Sequence, residues 1–512
     1  MTDFENLKNS LTKYEQQHLL QFWEQLSEAG KRELLDDIRD TNIAEVCSFF
    51  KRAVESLEEG QQKLDDRMKP IPPEAFGSVT RTRADVLKSY YEEGLRLISE
   101  GHVGVLLLAG GQGTRLGVPY PKGMFSVGLP SQKSLFQIQA ERIRRLQELA
   151  FRQTGKRNYI TWYIMTSEHT MEPTHDFLCT NNYFGLNKNN IVLFEQGMLP
   201  CFTLEGKIIM ETTSRIAKSP DGNGGLYRAL RDRKILDDIK NRGIKYLHAH
   251  SVDNILTKVA DPVFIGYCVS KGAECGAKVV EKAFPTEALG VVCNVDEKYQ
   301  VVEYSEITLR TAELRNPDGK LTFSAGNICN HFFSAEFLER VVKKDEANLQ
   351  LHVAKKKIPH INEKGVLCRP DKPNGIKMEK FVFDVFQFTE KLVVWEVLRE
   401  EEFSALKNAD TAEKDTATTA RRDIYALHRK FIERAGGKVL PGDSEIICEI
   451  SPCISYAGED LEGLVAGKSF KTPVLLEAPD EGKLTNGSSA SSGATNGSIC
   501  ANGITNGTKK IH

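Results

Sequence analysis

The run "VGVLLLAGGQGTRLG", Val103 to Gly117, constrains the fold more than any other stretch of this sequence. A strand that is apolar at nearly every position has no face to give to water, so it belongs inside a sheet covered on both sides. The glycines that follow leave bare backbone at the sheet edge, and Arg115 and Lys122 set two cations beside it. Further short apolar runs, "YITWYIMTS" and "KYLHAHSVDN", alternate with longer amphipathic segments. That alternation is the pattern of a parallel α/β sheet with crossover helices.

One crossover is expected to start at Ser134, where "SLFQ" fits a capping box and Phe136, Ala140, Ile143, Leu146 and Ala150 form a helical stripe. "GVVCNVDEKYQVVEYSEI" reads as two strands joined by a tight turn at Asp296 to Lys298, which would make the sheet mixed. Upstream, Leu19, Phe22 and Leu26, and then Ile43, Val46, Phe50, Val54 and Leu57, recur at helical spacing. "KPIPPEAFG" is read as a connector, since its prolines forbid a continuous helix. Phe381, Val385, Phe388 and Leu392 also recur at helical spacing and predict a packed helix. The expected domains are a helical region over 1–100, a central domain over 101–390, a C-terminal lobe over 391–478 and a disordered tail over 479–512. The tail is assigned because its Gly, Ser, Asn and Thr cannot bury enough surface to offset ordering entropy.

Charge and cysteine content narrow the function. With 68 Lys and Arg against 70 Asp and Glu, the net charge of -2 gives no general field for a nucleic acid or a membrane surface. No apolar run approaches the ~20 residues that cross a bilayer. The 11 cysteines are scattered without a CxxC pair, so a cytoplasmic protein with reduced thiols is expected. The NGS, NGS and NGT triplets at Asn486, Asn496 and Asn506 then reflect composition rather than glycosylation.

Two familiar glycine loops fail the test of spacing. A dinucleotide fingerprint begun at Gly111 needs glycine where Leu116 stands, and "GLVAGKS" at Gly463 to Ser469 is one residue short of a P-loop. The stretch "LAGGQGTRLGVPYPKGM" instead resembles the nucleotide-sugar pyrophosphorylases, whose signature is a strand, GGxGTR and a PK step. "PDGNGGLYRAL", "VDNIL", "GAKVVEK", "VVEYSEI", "AGNICNHFF", "PNGIKMEKFVFD", "LKNAD" and "CEISPCISYAGE" extend the likeness to the eukaryotic UDP-N-acetylhexosamine pyrophosphorylases, up to about Ala478.

That resemblance implies a Rossmann-like nucleotide-diphospho-sugar transferase domain with mixed, mainly parallel sheet. It also implies a uridylyltransferase that joins UTP and N-acetylglucosamine 1-phosphate, with N-acetylgalactosamine 1-phosphate as a second substrate, and releases pyrophosphate. In this reading Arg115 meets the leaving pyrophosphate and Lys122 the α-phosphate, while Lys377 and Lys407 approach from the far side as a lobe closes. Leu108, Ala109, Gly110 and Gly111 would read the nucleoside with Gln196 and Gly222. Asn223, Glu303, Tyr304 and Asn327 would face the sugar, and Asp253 would hold Mg²⁺, or Mn²⁺ in its place.

The chemistry suits the residues. Glycine amides approach phosphate closely, and a hard carboxylate at the carboxyl end of a strand suits a hard cation. A zinc site at His248 and His250 is set aside, because alternation puts Asp253 on the opposite strand face. The rival reading is a catalytically silent nucleotide-sugar-binding regulatory protein, against which stand the leaving-group cations. "RAGGKVLPGDSEIICEISP" is shorter than in many relatives, and Lys218 and Ser219 stand where relatives often carry less polar residues. The resemblance therefore leaves open both the oligomeric state, with a homodimer among the outcomes, and the preferred hexosamine.

Overall fold

The computed structural model describes residues 3–59, 64–440, 442 and 445–478. The tail expected over 479–512 lies outside the described residues. An 11-stranded sheet forms the centre. Its main path runs Phe76–Ser78, Leu392–Val397, Cys275–Glu281, Ala325–Ser334, Tyr246–Ser251, Val103–Leu108, Thr161–Thr166 and Ile191–Glu195. On this path Ala325–Ser334 opposes both neighbours, and the remaining pairs are parallel. The sheet is therefore mixed and mainly parallel, as the run pattern predicts.

The Val103–Leu108 strand is buried throughout. Leu106 and Leu108 join one hydrophobic cluster, while Val103, Val105 and Leu107 join the cluster on the other face. Each fully buried side chain of this size contributes about 1.5–3 kcal/mol, which is why such a strand settles at the centre. Helices Ala84–Ser99, Leu135–Thr154 and Pro262–Ser270 cover the second face. Leu226–Asp232, Ile235–Asn241 and Ala335–Lys344 cover the first.

Leu135–Thr154 begins as expected, with the Ser134 hydroxyl accepting from the Gln137 amide at 3.2 Å. The return half of the capping box does not form, and the Gln137 side chain donates through Nε2 to Glu141 at 2.9 Å. The expected hairpin also forms, Val291–Val295 against Lys298–Val302. Asp296 and Glu297 take left-handed φ values of 50° and 62° at its turn, the twist a two-residue hairpin needs.

Three local expectations change. Leu19 and Phe22 are buried, yet they sit in or beside short 3₁₀ turns, Gln17–Leu20 and Trp23–Gln25, and not on one α-helix. The helix expected over Phe381 to Leu392 is a 3₁₀ segment at Asp384–Phe388 followed by a strand from Leu392. Periodicity could not see the competing partner: Leu392 pairs in register with Cys275 inside the main sheet. The proline-rich connector, finally, ends in Phe76–Ser78, which pairs parallel to Val394–Glu396 as an edge strand. Strands from outside the 101–390 range thus enter the central sheet.

Helices Asp3–Lys13, Glu28–Asp40 and Ile43–Glu59 share a cluster with Phe202, Ile376 and Met378 of a separate three-stranded sheet. That sheet joins His352–Lys356, Gly375–Glu379 and Phe202–Thr203. Helix Ala417–Arg434 and two short parallel strand pairs form the C-terminal lobe, whose core also takes in Leu116, Leu135, Ile255 and Leu256. Among the described residues no helix is long and apolar enough to cross a membrane.

Candidate active site

The parallel strands Val103–Leu108, Thr161–Thr166, Ile191–Glu195 and Tyr246–Ser251 end on one edge, and Ala325–Ser334 starts there because it runs the other way. Ligands of open α/β sheets bind at this carboxyl edge. The chain leaves Leu108 into the glycine loop. The amides of Gly110, Gly111 and Gln112 donate no hydrogen bond among the described residues, and a side chain on Gly111 would meet nothing within 4 Å. Glycine at 111 therefore serves no internal contact, and what its bareness leaves open is approach from outside.

The loop is held from behind. Gly113 donates to Tyr120 O at 3.1 Å and Lys122 N to Gly111 O at 3.3 Å, which folds the PK step against the loop. Arg115 lies on the 3₁₀ turn Thr114–Leu116 and is exposed, with no ion pair or hydrogen bond among the described residues. Lys122 is turned inward and pairs with Asp253 at 3.2 Å. Asp253 follows the Tyr246–Ser251 strand by two residues. Of the three expected catalytic cations, Arg115 and Lys122 thus follow the central strand Val103–Leu108, the first without a side-chain partner among the described residues and the second on the expected metal ligand.

On one side of the loop stands Gln196. Its Nε2 donates to Gly222 O at 3.1 Å and to Asp221 Oδ1 at 3.3 Å. Those two acceptors fix the amide, so Oε1 faces Gly110, where a β-carbon would approach it to 2.2 Å. Asp221 escaped the sequence reading, although a carboxylate between proline and glycine in "PDGNGG" was a usable signal. It is buried, and its carboxyl is pushed up to about 7 by burial, against the pull of Lys380, Arg228 and the Gln196 amide.

Gly222 has φ of 84°, and a side chain there would strike Lys380 O at 2.4 Å. Asn223 is committed to the fold on one side, since its Oδ1 accepts from Val382 N at 2.9 Å. Its Nδ2 faces the Cys329 thiol at 4.0 Å.

On the other side, Cys329 brings several expected residues together. Its thiol is pushed up to about 11, first by burial and also by the Asp253 charge, and is drawn down by the Ser251 hydroxyl and Lys407. Asn223 therefore touches this side chain, and Asp253 and Lys407 lie within electrostatic reach of it. Cys329 has a left-handed φ of 52°, where the register slips between Ala277 and Val279, and Asn327 Oδ1 accepts from its amide at 3.2 Å. Nothing in the spacing of "AGNICNHFF" announced this bulge.

Glu303 is raised above the usual carboxylate range by burial and then by Glu306, with His352 and Lys407 pulling it down. Burial alone would lower His352, but the Asp384 carboxylate at 3.1 Å holds it above the usual imidazole range. Tyr304, by contrast, is 51% exposed.

The two lysines expected near a second lobe stand on different segments of the chain. Lys407 follows a segment tied to the one that carries Asp253, since Leu406 N donates to Asp253 O at 2.8 Å and Asn254 forms a bridge with Ala405. Lys377 is the cation on a separate unit. It stands on Gly375–Glu379 of the small sheet, within electrostatic reach of Cys201, and its ammonium forms no hydrogen bond or ion pair among the described residues.

His248 spends both ring nitrogens inside the core, donating to Asn330 Oδ1 at 2.6 Å and accepting from Ala260 N at 3.1 Å. No cluster of three His, Cys, Asp or Glu able to hold a metal occurs among the described residues. A single carboxylate such as Asp253 suits Mg²⁺, which usually takes one or two carboxylates and completes its shell with water and substrate phosphate.

Comparison with known proteins gives a consistent result. The family described as UTP–glucose-1-phosphate uridylyltransferase matches residues 46–441. The UDP-N-acetylhexosamine pyrophosphorylase-like protein 1 of Xenopus tropicalis is 54% identical over 486 residues, 91% of this chain and 95% of that protein. The UDP-N-acetylglucosamine pyrophosphorylase of Saccharomyces cerevisiae is 40% identical over 472 residues, 90% of this chain and 97% of that one. The crystal structure of the Trypanosoma brucei uridine diphosphate N-acetylglucosamine pyrophosphorylase, in complex with an inhibitor, superposes with a TM-score of 0.80. It is 30% identical and covers 94% of this chain and 99% of its own.

Proposed function

The chain belongs to the UTP–glucose-1-phosphate uridylyltransferase family, and from that premise we propose that it is a UDP-N-acetylhexosamine pyrophosphorylase. It joins UTP and N-acetylglucosamine 1-phosphate into UDP-N-acetylglucosamine and pyrophosphate. The observation that carries the reading is the glycine loop, whose amides are unpaired among the described residues and are followed along the chain by the exposed Arg115 and by Lys122, paired with Asp253.

The reaction brings two polyanions together. A phosphate oxygen of the sugar phosphate attacks the α-phosphorus of UTP in line, the new P–O bond forms and the α–β anhydride breaks toward pyrophosphate. Preorganised amide donors stabilise the charge that builds on phosphate oxygens without reorganising as it moves. Arg115 offers a planar fork to the departing pyrophosphate, and Lys122 follows the α-phosphate. Lys377 reaches the phosphates from the small sheet.

Gln196, held by Asp221 and Gly222, presents an acceptor to the base, which suits the N3–H of uracil. Glu303, Asn223 and Asn327 lie where they serve the sugar's hydroxyl and N-acetyl groups, with Lys407 beside them. Mg²⁺, or Mn²⁺, held by Asp253 would neutralise phosphate charge and align the reactants. A silent binding protein would have no use for Arg115 at the leaving group or for Lys122 following the α-phosphate.

Pyrophosphate release on mixing the protein with UTP, N-acetylglucosamine 1-phosphate and Mg²⁺ tests the activity, and no release from folded protein would reject it. The same assay with N-acetylgalactosamine 1-phosphate measures the second substrate. Asp253→Asn should raise the Mg²⁺ concentration needed for half-maximal rate, and an unchanged metal dependence would remove Asp253 from that role.

A further inference from the structure

We propose that Asn254 is a positioning residue that fixes Lys407 against Asp253, an inference that rests on reading both as parts of the reaction site. Asn254 is 3% exposed and uses its amide on both sides. Nδ2 donates to Glu402 O at 2.7 Å, while Oδ1 accepts from Ser404 N at 2.9 Å and from Leu256 N at 3.2 Å. The backbone continues the junction: Ile255 N donates to Ser404 O at 3.1 Å and Leu406 N to Asp253 O at 2.8 Å. The residue after Leu406 is Lys407.

One amide therefore registers the segment that carries the carboxylate against the segment that carries the cation. Only a side chain with a donor and an acceptor fits this place. Aspartate would set an oxygen against the Glu402 carbonyl, and alanine would leave buried N–H and C=O groups without partners.

The far end of the junction is anchored by a second buried group that the reaction does not use. The Lys278 ammonium is fully buried; it contacts the Glu402 carboxylate and lies 2.6 Å from Asp261. Lys258 reaches the same glutamate at 3.3 Å. Asp261 in turn caps the Pro262–Ser270 helix through Val263 N at 3.1 Å. A charge taken so far out of water is held only by such partners, so Glu402 has little freedom to shift. Asn254 is thus braced against a rigid point, and Lys407 hangs from it by a few residues of paired backbone. Displacements of about 1 Å at a reacting centre can cost about 10²-fold, so this register matters for turnover beyond its part in folding.

A mutant cycle tests the inference. Asn254→Ala, Lys407→Ala and the double variant are compared in kcat/KM and in metal-free binding of UDP-N-acetylglucosamine by calorimetry. Asn254→Ala should lower kcat/KM by about 10-fold or more and weaken product binding, yet add less than about 2-fold once Lys407 is gone. A merely structural role would lower Tm and leave both readouts unchanged below it. Losses that multiply, or an active Asn254→Ala beside a damaged Lys407→Ala, overturn the inference alone. A silent Lys407→Ala overturns the site reading and the inference with it. Should Asn254→Ala not fold, Asn254→Ser retains an oxygen acceptor but cannot reach Glu402 O; it should show the same direction of change, and full activity would again overturn the proposal.

Discussion

A methyl group on Gly110 would sit 2.2 Å from Gln196 Oε1, so this glycine is required by a neighbour, whereas Gly111 meets nothing. The two therefore respond differently to substitution. Gly110→Ala should displace the Gln196 amide and raise KM for UTP by about 10-fold, the effect of spoiling one well-placed base contact; titration with UTP at saturating sugar phosphate reads it. Arg115→Ala acts on charge and not on fit. Because the exposed Arg115 side chain makes no hydrogen bond or ion pair among the described residues, its loss should leave Tm unchanged and lower kcat by roughly 10²- to 10³-fold. Near-normal turnover in the folded variant would take Arg115 out of the leaving-group role.

Among elements, helices Ala84–Ser99 and Pro262–Ser270 meet through glycines on both sides. A β-carbon on Gly94 would fall 2.2 Å from Pro262 O, and one on Gly266 would fall 2.0 Å from Tyr90 O. Backbone cannot step aside as a side chain can, so Gly94→Ala must part the helices and should destabilise by about 1–3 kcal/mol, measured as a lower urea midpoint. Asp261 caps one of this pair and holds Lys278, so the strain would also be felt behind Glu402. Ser134→Ala removes a single cap bond from Leu135–Thr154 and should cost about 1 kcal/mol by the same measurement. Elements with contiguous signals, such as this helix and the Asp296–Glu297 hairpin, were legible in the sequence. The Phe381 to Leu392 stretch was not, because the partner that makes it a strand is Cys275, far away along the chain.

For the whole molecule, burial of neutral imidazoles sets the response to acid. His250 is lowered to about 4 by burial, and His331 and His428 to about 3. An unfolded chain binds a proton at each near pH 6.5, while the native state refuses it, so their contribution is full above that pH and is lost as pH falls toward 4. Asp221, raised to about 7 by burial, acts with the opposite sign, losing native preference as pH rises from about 4 to 7. Glu303, also raised by burial, shares that sign, but the buried imidazoles outnumber these two carboxyls, so stability should fall between pH 6.5 and 4. His331, which has no partner on either ring nitrogen among the described residues and packs edge-on against Phe386, offers the test. His331→Phe should reduce the slope by about 1.4 kcal/mol per pH unit over that window, and an unchanged slope would discount its burial as the cause.

By itself the sequence determined the buried strand, the glycine loop and the Arg115 and Lys122 cations, because the groups that must cooperate there lie within one short segment, where local chain geometry already places them together. Only the tertiary structure decided that Cys329 meets Asn223, that Asp384 meets His352, and that Asn254 grips Glu402 across 148 residues of chain. Such pairs exist only once both faces of the sheet are buried, and no spacing rule records a contact whose distance is set by packing and not by the intervening backbone.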